Sequence, residues 1–269
     1  MKIIYTKKQL VNFVLKQKNL GFVPTMGAIH VGHISLIKKS IKQSNKTIVT
    51  IFINKPQFNR KNDFLKYPRM LNKDISILAK LKVNYLYLPS KNQIYPDGPN
   101  NNIKISAFEK KLCGKHRLGH FKAVVDVIDR FIKIIKPAKI YFGEKDMQQL
   151  KIIEHFVKKN YSNIKVVACK TIREKNGIAC SSRNFLLSLN EKKIASKIYK
   201  YLKNRKQKLI KKKINSQTIK KNVYKLGAKK IDYIQMLDIN KIIKPHKRNR
   251  KFRIFVAYYL RTTRLIDNI

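Results

Sequence analysis

The chain has 269 residues, of which 43% are hydrophobic, and its 62 lysines and arginines against 14 aspartates and glutamates give a formal net charge of +48. This length and hydrophobic content exclude a wholly disordered chain and allow one large domain or two smaller ones. No apolar run is long enough to span a membrane, and lysines interrupt the N-terminal segment, so we expect neither a membrane partner nor a signal peptide. The three cysteines lack Cys-x-x-Cys spacing, which is typical of reduced thiols and predicts a cytoplasmic protein.

The high positive charge has two interpretations. A basic surface is typical of proteins that bind the phosphates of nucleic acids. However, the lysines are spread along the chain, with only modest clusters at residues 206–213 and 244–251, while asparagine and isoleucine are abundant and tryptophan is absent. We therefore favour compositional drift of surface positions towards AT-rich codons over a dedicated nucleic-acid partner. The charge would still favour the approach of anionic substrates.

The first buried strand is predicted at residues 20–23, and a glycine-bearing turn and a helix follow it. Glycines at positions 27 and 32 let a ligand approach the backbone closely. The first amides of a helix and its dipole attract anions. A strand, such a turn and a helix N-terminus in this order are therefore typical of a phosphate site.

Two histidines, His30 and His33, lie three residues apart and share a face if both belong to the first helical turn. Imidazoles that face a phosphate would donate hydrogen bonds and, when protonated, positive charge. A helix cap, incidental surface histidines and a zinc pair are the alternatives, although the nearest cysteine, Cys113, is far away and no third zinc ligand is obvious. On its own, this stretch leaves the nucleotide site and its alternatives equally open.

Strand and helix patterns then alternate as far as residue 169. Further strands are predicted at residues 46–53, 83–88, 139–142 and 164–169, with a candidate short edge strand at 103–105, and further helices at 70–81, 122–135 and 147–159. This alternation predicts an α/β fold, with a parallel sheet covered by helices on both faces.

Beyond about Arg173 the pattern changes. An Asn176-Gly177 pair predicts a hairpin turn, and two helices and two strands follow it. The helices are predicted at residues 190–209 and 216–226, and the strands at 231–237 and 252–260. We therefore expect two domains, residues 1–175 and a small α+β domain of residues 176–269.

Three polar turns follow predicted strands at residues 25–33, 54–58 and 143–146. Ligands of open parallel sheets bind at the edge formed by the carboxyl ends of the strands, so the three turns together favour a ligand site. Gln57 in the second turn suits hydroxyls and carboxylates, and Lys145 in the third suits phosphate.

Two further groups of polar residues have structural and functional interpretations. Asp146 and Gln149 have capping-box spacing, which is compatible with a ligand role for Gln149. Ser181, Ser182 and Arg183 would hold a pyrophosphate, or would form a helix cap beside a surface arginine. The sequence has no P-loop, no Gly-x-Gly-x-x-Gly fingerprint and no Gly-x-Ser-x-Gly elbow, so kinase, dehydrogenase and serine-hydrolase interpretations lose support. Phosphoryl or nucleotidyl transfer fits better, because there the protein mainly positions groups and neutralises charge.

Taken in order, these residues form a set of motifs that resembles the pantoate–β-alanine ligase family over nearly the whole chain. The motifs are Pro24-Thr25-Met26-Gly27, His30-x-Gly32-His33, Phe52-Ile53-Asn54 with Gln57-Phe58, Tyr67-Pro68-Arg69, Ile94-Tyr95-Pro96, Gly119-His120-Phe121, Gly143-Glu144-Lys145-Asp146 with Gln148-Gln149-Leu150, Ser181-Ser182-Arg183-Asn184 and Arg264-Leu265-Ile266-Asp267-Asn268. The His-x-Gly-His element alone is shared with other nucleotidyltransferases, so the combination carries the resemblance.

The resemblance implies a two-step reaction. Pantoate and ATP with Mg²⁺ give pantoyl adenylate and pyrophosphate, and β-alanine then converts the adenylate to pantothenate and AMP. It also implies a Rossmann-like domain that binds the nucleotide and pantoate, a smaller lid domain and a homodimer.

The resemblance also implies roles for individual residues. The ATP site would be lined by Met26, Gly27, Ala28, Ile29, His30, Val31, Gly32, His33, Gly143, Glu144, Lys145, Asp146, Ile172, Cys180, Ser181, Ser182 and Arg183. Of these, the catalytic residues would be His33, His30, Lys145 and Arg183. Gln57 and Gln149 would hold pantoate, with Gln57 also near β-alanine.

The sequence departs from the family pattern at several positions. Val31 replaces the usual aspartate between histidine and glycine, Pro56 is displaced by one position, and Cys180 replaces the usual leucine or methionine. The acidic pair that lies near the metal is here Lys73-Asp74, which leaves Asp74 as the candidate metal ligand. None of these changes removes a residue expected to stabilise charge or hold pantoate, so we expect an active enzyme.

Two other hypotheses stay open at this point. The chain could be another adenylyltransferase or cytidylyltransferase, although Gln57, Gln149 and the Ser-Ser-Arg segment argue against that. A nucleic-acid-binding protein would instead show tight and steeply salt-dependent binding of DNA or RNA.

Overall fold

The computed structural model describes residues 1–14, 17–100, 102–210, 215–238 and 252–269. The chain divides into two compact units: the first comprises Met1–Glu144 and Gln148–Lys170, and the second comprises Lys145–Met147 and Thr171–Ile269. The basic cluster at residues 244–251 and part of the cluster at 206–213 lie outside the described residues. Every helix in the described part of the chain is too short or too polar to cross a lipid bilayer.

The elements from the N-terminus to Cys169 follow one another as short strands and helices. In chain order they are β1 (Lys2–Ile4), α1 (Lys7–Val14), β2 (Leu20–Thr25), α2 (Val31–Gln43), β3 (Lys46–Ile51), α3 (Lys61–Leu65), α4 (Leu71–Lys80), β4 (Tyr85–Tyr87), α5 (Lys91–Ile94), α6 (Leu112–His116), α7 (His120–Ile135), β5 (Lys139–Gly143), α8 (Met147–Asn160) and β6 (Lys165–Cys169). Short 3-10 helices are found at Lys55–Gln57, Ala107–Lys110 and Glu144–Asp146.

The described strands of the first unit form a parallel sheet in the order β1-β4-β3-β2-β5-β6. Strand β2 is central: Phe22 is opposite Ile48 of β3 on one side and Ile140 of β5 on the other. The carboxyl ends of β2, β3 and β5 therefore meet at one edge, where the polar turns begin. The predicted α/β class with a parallel sheet is confirmed.

Alternation along the strands covers the two faces of this sheet with different helices. Val23 packs in one buried cluster with Ile37 of α2 and Leu78 of α4. The preceding residue of β2, Phe22, points the other way, and its ring meets the edge of Phe131 on α7 with centroids 5.7 Å apart. The sheet is thus buried on both faces, as its continuously apolar strands predict.

The prediction of a strand at residues 103–105 is wrong, because the structure has no strand there. The backbone nearby is held by a side chain instead of by a neighbouring strand: the Asn100 amide donates to Asp126 Oδ2 at 2.9 Å. A three-residue alternation is too short to specify a strand by itself. Conversely, β1 and α1 have no counterpart among the elements predicted from the sequence.

The second unit is α+β, as expected. Its described elements are a 3-10 helix (Ser182–Leu186), α9 (Leu189–Ile210), α10 (Ser216–Lys225), β7 (Lys230–Asp238), β8 (Phe252–Leu260) and β9 (Thr263–Asn268). The three strands form an antiparallel sheet in the order β7-β8-β9, and β9 was not predicted. The hairpin turn at Asn176-Gly177 is confirmed, because Arg173 and Ala179 form an antiparallel bridge around it and Gly177 has φ +93°.

The core of the second unit lies between this sheet and its two helices. Ile254 and Val256 of β8 share a buried cluster with Leu202 of α9 and with Ile219 and Val223 of α10. The alternation of β8 and the 3.6-residue spacing of both helices therefore bury their apolar residues together.

Candidate active site

The turn between β2 and α2 has an unusual backbone. Gly27 and Ala28 both lie in the left-handed region, with φ +77° and +49°. The Gly27 amide donates to Thr25 Oγ1 at 3.1 Å, and that hydroxyl donates to the Thr50 carbonyl of β3 at 2.7 Å. The turn is thus tied to the two central strands, and its unfavourable conformation at Ala28 needs a compensating interaction.

Asp74 of α4 supplies that interaction. The Ala28 amide donates to Asp74 Oδ2 at 2.8 Å, and the Ile29 amide donates to Oδ1 at 2.7 Å. Hydrogen bonds to an ionised acceptor are among the strong ones, and this carboxylate is only 1% exposed. Burial raises the pKa of Asp74, while the amides of Ile29 and Ala28 and the charge of Lys73 lower it in part.

Asp74 is also the candidate metal ligand, and that role stays a prediction; in this structure both carboxylate oxygens accept hydrogen bonds from the backbone of the turn. The described residues also contain no group of three histidine, cysteine or acidic side chains that could hold a metal ion. In the described part of the chain, the two histidines likewise have no third such side chain with which to hold a metal ion. We assign Asp74 to shaping the turn.

The two histidines lie side by side at the N-terminus of α2. His30 is the N-cap, and its Nδ1 accepts a hydrogen bond from the Gly32 amide at 3.1 Å. His33 lies in the first helical turn, and the two rings stack with centroids 4.0 Å apart. His30 caps the helix and also shares a face with His33, so a capping role and a phosphate-binding role do not exclude each other.

The cap also determines which nitrogen of His30 carries the proton. A nitrogen that accepts a hydrogen bond has no proton of its own, so the neutral ring carries its proton on Nε2. His30 can therefore donate from Nε2 to an acceptor at the start of the helix. The adjacent Val31 is 59% exposed, so the departure from aspartate falls on a side chain that faces solvent.

The second polar turn, after β3, holds Gln57 in a 3-10 helix. Buried Asn54 donates from Nδ2 to the Ala123 carbonyl at 3.1 Å and to Gln57 Oε1 at 3.4 Å, and its Oδ1 accepts from the Tyr95 hydroxyl at 2.8 Å. Burial is the main reason why the pKa of Tyr95 is raised, so its hydroxyl stays protonated and donates. Asn54 thus orients the Gln57 amide.

The two glutamines at the start of α8 differ in what they contact. Gln148 is buried and fixes the loop before α6, since its Oε1 accepts from the Cys113 amide at 3.0 Å. Its Nε2 donates to the Lys111 carbonyl at 2.7 Å and the Phe108 carbonyl at 3.0 Å. Gln149 is half-buried. The sequence analysis therefore selected Gln149, the more exposed of the two, as a candidate ligand residue, and did not predict that Gln148 anchors a loop.

In the second unit, the backbone brings together Ile172 and the Ser-Ser-Arg segment. The Cys180 amide donates to the Ile172 carbonyl at 2.9 Å. Ser181 caps the following 3-10 helix, its Oγ accepting from the Arg183 amide at 3.3 Å. The cap alternative therefore holds for Ser181, while the half-buried Arg183 side chain extends from the same short helix.

Lys145 also belongs to the second unit, and the C-terminal strand positions it. Asn268 Nδ2 donates to the Lys145 carbonyl at 2.8 Å. The Lys145 ammonium lies 3.7 Å from the Asp146 carboxylate. No pattern in the sequence pointed to this link, because 123 positions separate Asn268 from Lys145.

Asp267, next to Asn268, makes a bidentate ion pair with Arg173. The guanidinium nitrogens lie 2.6 and 2.9 Å from the two carboxylate oxygens, and the guanidinium carbon is 4.2 Å from the centre of the Tyr199 ring. Burial alone would lower the pKa of Arg173, but hydrogen bonding and the charge of Asp267 outweigh it and raise the pKa. The Arg-Leu-Ile-Asp-Asn motif therefore ties the hairpin to β9.

Comparison with known proteins gives the family. The pantoate-beta-alanine ligase family model matches residues 2–269. The chain belongs to the pantoate–β-alanine ligase family. A pantothenate synthetase of Endomicrobium trichonymphae is 40% identical, with 100% of this chain and 97% of the relative covered. One from Francisella tularensis subsp. mediasiatica is 41% identical, with 96% of this chain and 91% of the relative covered.

Solved structures agree with this assignment. A crystal structure of a Francisella tularensis pantoate-beta-alanine ligase, complexed with beta-gamma ATP and beta-alanine, is 39% identical, covers 100% of this chain and 97% of its own, and gives a TM-score of 0.85. Pantothenate synthetase from Thermus thermophilus is 28% identical and gives a TM-score of 0.90, with 100% and 99% covered. The chain is thus a ligase of pantothenate biosynthesis, and the motif-based resemblance is confirmed.

Proposed function

We propose that this pantoate–β-alanine ligase condenses (R)-pantoate with β-alanine through a pantoyl-adenylate intermediate, releasing AMP and pyrophosphate. One observation carries the proposal: two stacked histidines begin a helix at the carboxyl end of a central parallel strand. Helix N-termini attract phosphate, and His30 presents a donor there. The Francisella relative crystallised with a β,γ-ATP ligand and β-alanine supports both as ligands.

In the first step, a carboxylate oxygen of pantoate attacks the α-phosphorus of ATP. The bond between that phosphorus and the bridging oxygen to the β-phosphate breaks, and the electron pair leaves with pyrophosphate. We assign His33 as the catalytic histidine, with His30 donating to the same phosphates. Lys145 and Arg183 would neutralise the charge that develops on the leaving pyrophosphate.

In the second step, the amine of β-alanine attacks the acyl carbon of the adenylate. The bond from that carbon to the phosphate oxygen breaks, AMP leaves, and the new amide loses a proton from nitrogen. Gln57 and Gln149 would hold the pantoyl group, with Gln57 also near the incoming β-alanine. An amide side chain suits this because it binds hydroxyls and carbonyls without adding charge.

The remaining ATP contacts are proposed by position. The backbone of the turn and helix start would face the nucleotide through Met26, Gly27, Ala28, Ile29, Val31 and Gly32. The other candidates are Gly143, Glu144, Asp146, Ile172, Cys180, Ser181 and Ser182. Main-chain amides dominate the first group, which suits phosphate binding.

Magnesium is proposed to arrive with ATP. The described residues offer no cluster of three metal-binding side chains, and Asp74 is engaged by backbone amides. Mg²⁺ commonly binds substrate phosphates with only one or two protein carboxylates, so a dedicated protein cage is not required. It would supply positive charge to the triphosphate, and the steps above are assigned to protein groups alone.

We further propose that residues 1–175 form the nucleotide- and pantoate-binding domain and residues 176–269 the lid domain. A cytoplasmic homodimer without a nucleic-acid partner completes the proposal. Sedimentation equilibrium would test the dimer: twice the chain mass is expected, and a single-chain mass at micromolar concentration would contradict it.

A single-turnover experiment tests the mechanism. Enzyme in excess over ATP is mixed with Mg²⁺ and pantoate, but without β-alanine, and pyrophosphate is measured. We expect about one pyrophosphate per ATP, none without pantoate, and AMP only after β-alanine is added. Formation of ADP and phosphate, or pyrophosphate release that requires β-alanine, would contradict the adenylate.

A further inference from the structure

His120, the first residue of α7, is buried against Gln57. It is 5% exposed, and its Nδ1 lies 2.8 Å from the Gln57 carbonyl oxygen. Its Nε2 lies 2.8 Å from Nη1 of Arg117, whose Nη2 donates to the same Gln57 carbonyl at 3.1 Å. We call Arg117, His120 and the Gln57 carbonyl the Gln57 clamp.

The partners of the imidazole fix its protonation. A guanidinium only donates, so Nε2 of His120 must accept from Arg117 and cannot carry a proton in this arrangement. A carbonyl only accepts, so Nδ1 must carry the proton and donate to Gln57. His120 is therefore held as the neutral ring with its proton on Nδ1.

The loop that carries the clamp is itself joined to the Gln57 segment. The His120 amide donates to the Arg117 carbonyl at 3.1 Å, and Gly119 between them has φ +75°. Asn59 Nδ2 donates to the Leu118 carbonyl at 2.6 Å, so side chains link the two segments in both directions. The peptide that follows Gln57 is thereby prevented from rotating.

We propose that His120 and Arg117 are positioning residues for Gln57, and that they set the affinity for pantoate without contacting it. The inference rests on the proposed function, in which Gln57 holds pantoate. Two donors fix the Gln57 carbonyl, and Asn54 orients its side-chain amide from the other side. Preorganising a binding group lowers the entropy lost when the ligand binds, so releasing Gln57 weakens pantoate binding specifically.

Two variants separate the roles of the ring nitrogens. His120→Asn places an amide NH₂ where Nδ1 was, which keeps the donor to Gln57. His120→Gln reaches the position of Nε2 and loses that donor. We expect His120→Gln to raise KM for pantoate about ten-fold and to leave KM for ATP within about two-fold, whereas His120→Asn stays within about three-fold for both.

A double-mutant cycle shows whether the effect passes through Gln57. In a Gln57→Ala background, His120→Gln should cause no further rise in KM for pantoate. Equal pantoate KM values for the two His120 variants, an equal rise in both substrates' KM values, or an undiminished effect in the Gln57→Ala background would each overturn the clamp.

Different results would contradict the proposed function and the Gln57 clamp. Absence of pantoate-dependent pyrophosphate release by the unaltered chain would overturn the proposed function itself, before any variant is made. If His120→Gln does not fold, Arg117→Lys replaces it, because lysine cannot reach both His120 and the Gln57 carbonyl as the guanidinium fork does. A selective rise in KM for pantoate is again expected, and an unchanged KM would contradict the clamp.

Discussion

At the scale of single residues, a buried carboxylate shapes the turn to which a phosphate is proposed to bind. Asp74 accepts from two consecutive amides, which stabilises the left-handed conformation of Ala28. Sequence spacing did not reveal this role, because 46 positions separate Asp74 from Ala28. The sequence shows which polar residues follow the strands, but the hydrogen-bond partner of each side chain depends on packing between distant segments.

Lys145 gives the most direct residue-scale prediction. Lys145→Ala should slow pyrophosphate release in a single turnover by about 10²- to 10³-fold, because a preorganised charge that stabilises a transition state is lost. The matched control is Lys151→Ala, since Lys151 pairs with Glu154 at 2.8 Å on the following helix. The control should leave the rate within about two-fold.

Rapid-quench measurements on both variants, with thermal unfolding to verify their folds, decide the question. A Lys145→Ala rate close to that of the Lys151→Ala variant would refute the role given to Lys145.

At the scale of elements, the sequence predicts what is long and strongly patterned. The β2–turn–α2 unit and the amphipathic α7 lie where apolar spacing places them, and the three polar turns follow their strands. The short elements are less predictable: residues 103–105 do not form the strand that was predicted there, and β1 and β9 are strands that were not predicted. Strand β9 carries the polar residues Asp267 and Asn268, so its sequence does not have the apolar pattern of a strand. In the structure Arg173 pairs with Asp267, and Asn268 donates to the Lys145 carbonyl.

Two glycines with the same positive φ test the turn after β2. Gly27 and Gly98 both have φ +77°, so alanine costs about 1–2 kcal/mol at either position. At Gly27 the new Cβ would also lie 3.0 Å from Asp74 Oδ2 and 3.1 Å from Ile51 Cγ2, whereas at Gly98 it would meet nothing within 4 Å.

Gly27→Ala should therefore lower kcat/KM for ATP by more than about ten-fold, since the turn must move, and Gly98→Ala should leave it unchanged. Steady-state kinetics and urea unfolding of both variants measure the two effects. Equal losses of activity would show that backbone strain alone, and not the contact with Asp74, explains the result.

At the scale of the whole molecule, the order of the parallel strands explains why residues distant in sequence gather at one edge. The motifs predicted the edge, since β2, β3 and β5 are neighbours in the sheet. The division at Lys170 and the assignment of Lys145 to the second unit are not visible in the sequence, because they depend on contacts between residues distant along the chain, such as Asn268 and Lys145. Composition reveals the charge of +48 but not its use.

The charge makes a prediction about substrates. ATP is an anion and β-alanine is a zwitterion at neutral pH, so salt should weaken the binding of ATP but not that of β-alanine. Between about 50 mM and about 300 mM ionic strength, we expect Kd for ATP to rise several-fold while the KM for β-alanine stays constant. Titration calorimetry for ATP and steady-state kinetics for β-alanine measure this. A salt-independent Kd for ATP would show that the net charge has no part in substrate capture.

The central claim, that pantoate is activated as an acyl adenylate, is tested most directly by following one oxygen atom. Pantoate labelled with oxygen-18 in its carboxylate is converted to pantothenate with unlabelled ATP and β-alanine, and the AMP is analysed by mass spectrometry. Because the carboxylate oxygen that attacks phosphorus stays on phosphate when the acyl–oxygen bond breaks, we predict one labelled oxygen in each AMP formed from fully labelled pantoate. Unlabelled AMP would contradict the adenylate and, with it, the roles assigned to the histidines and Lys145.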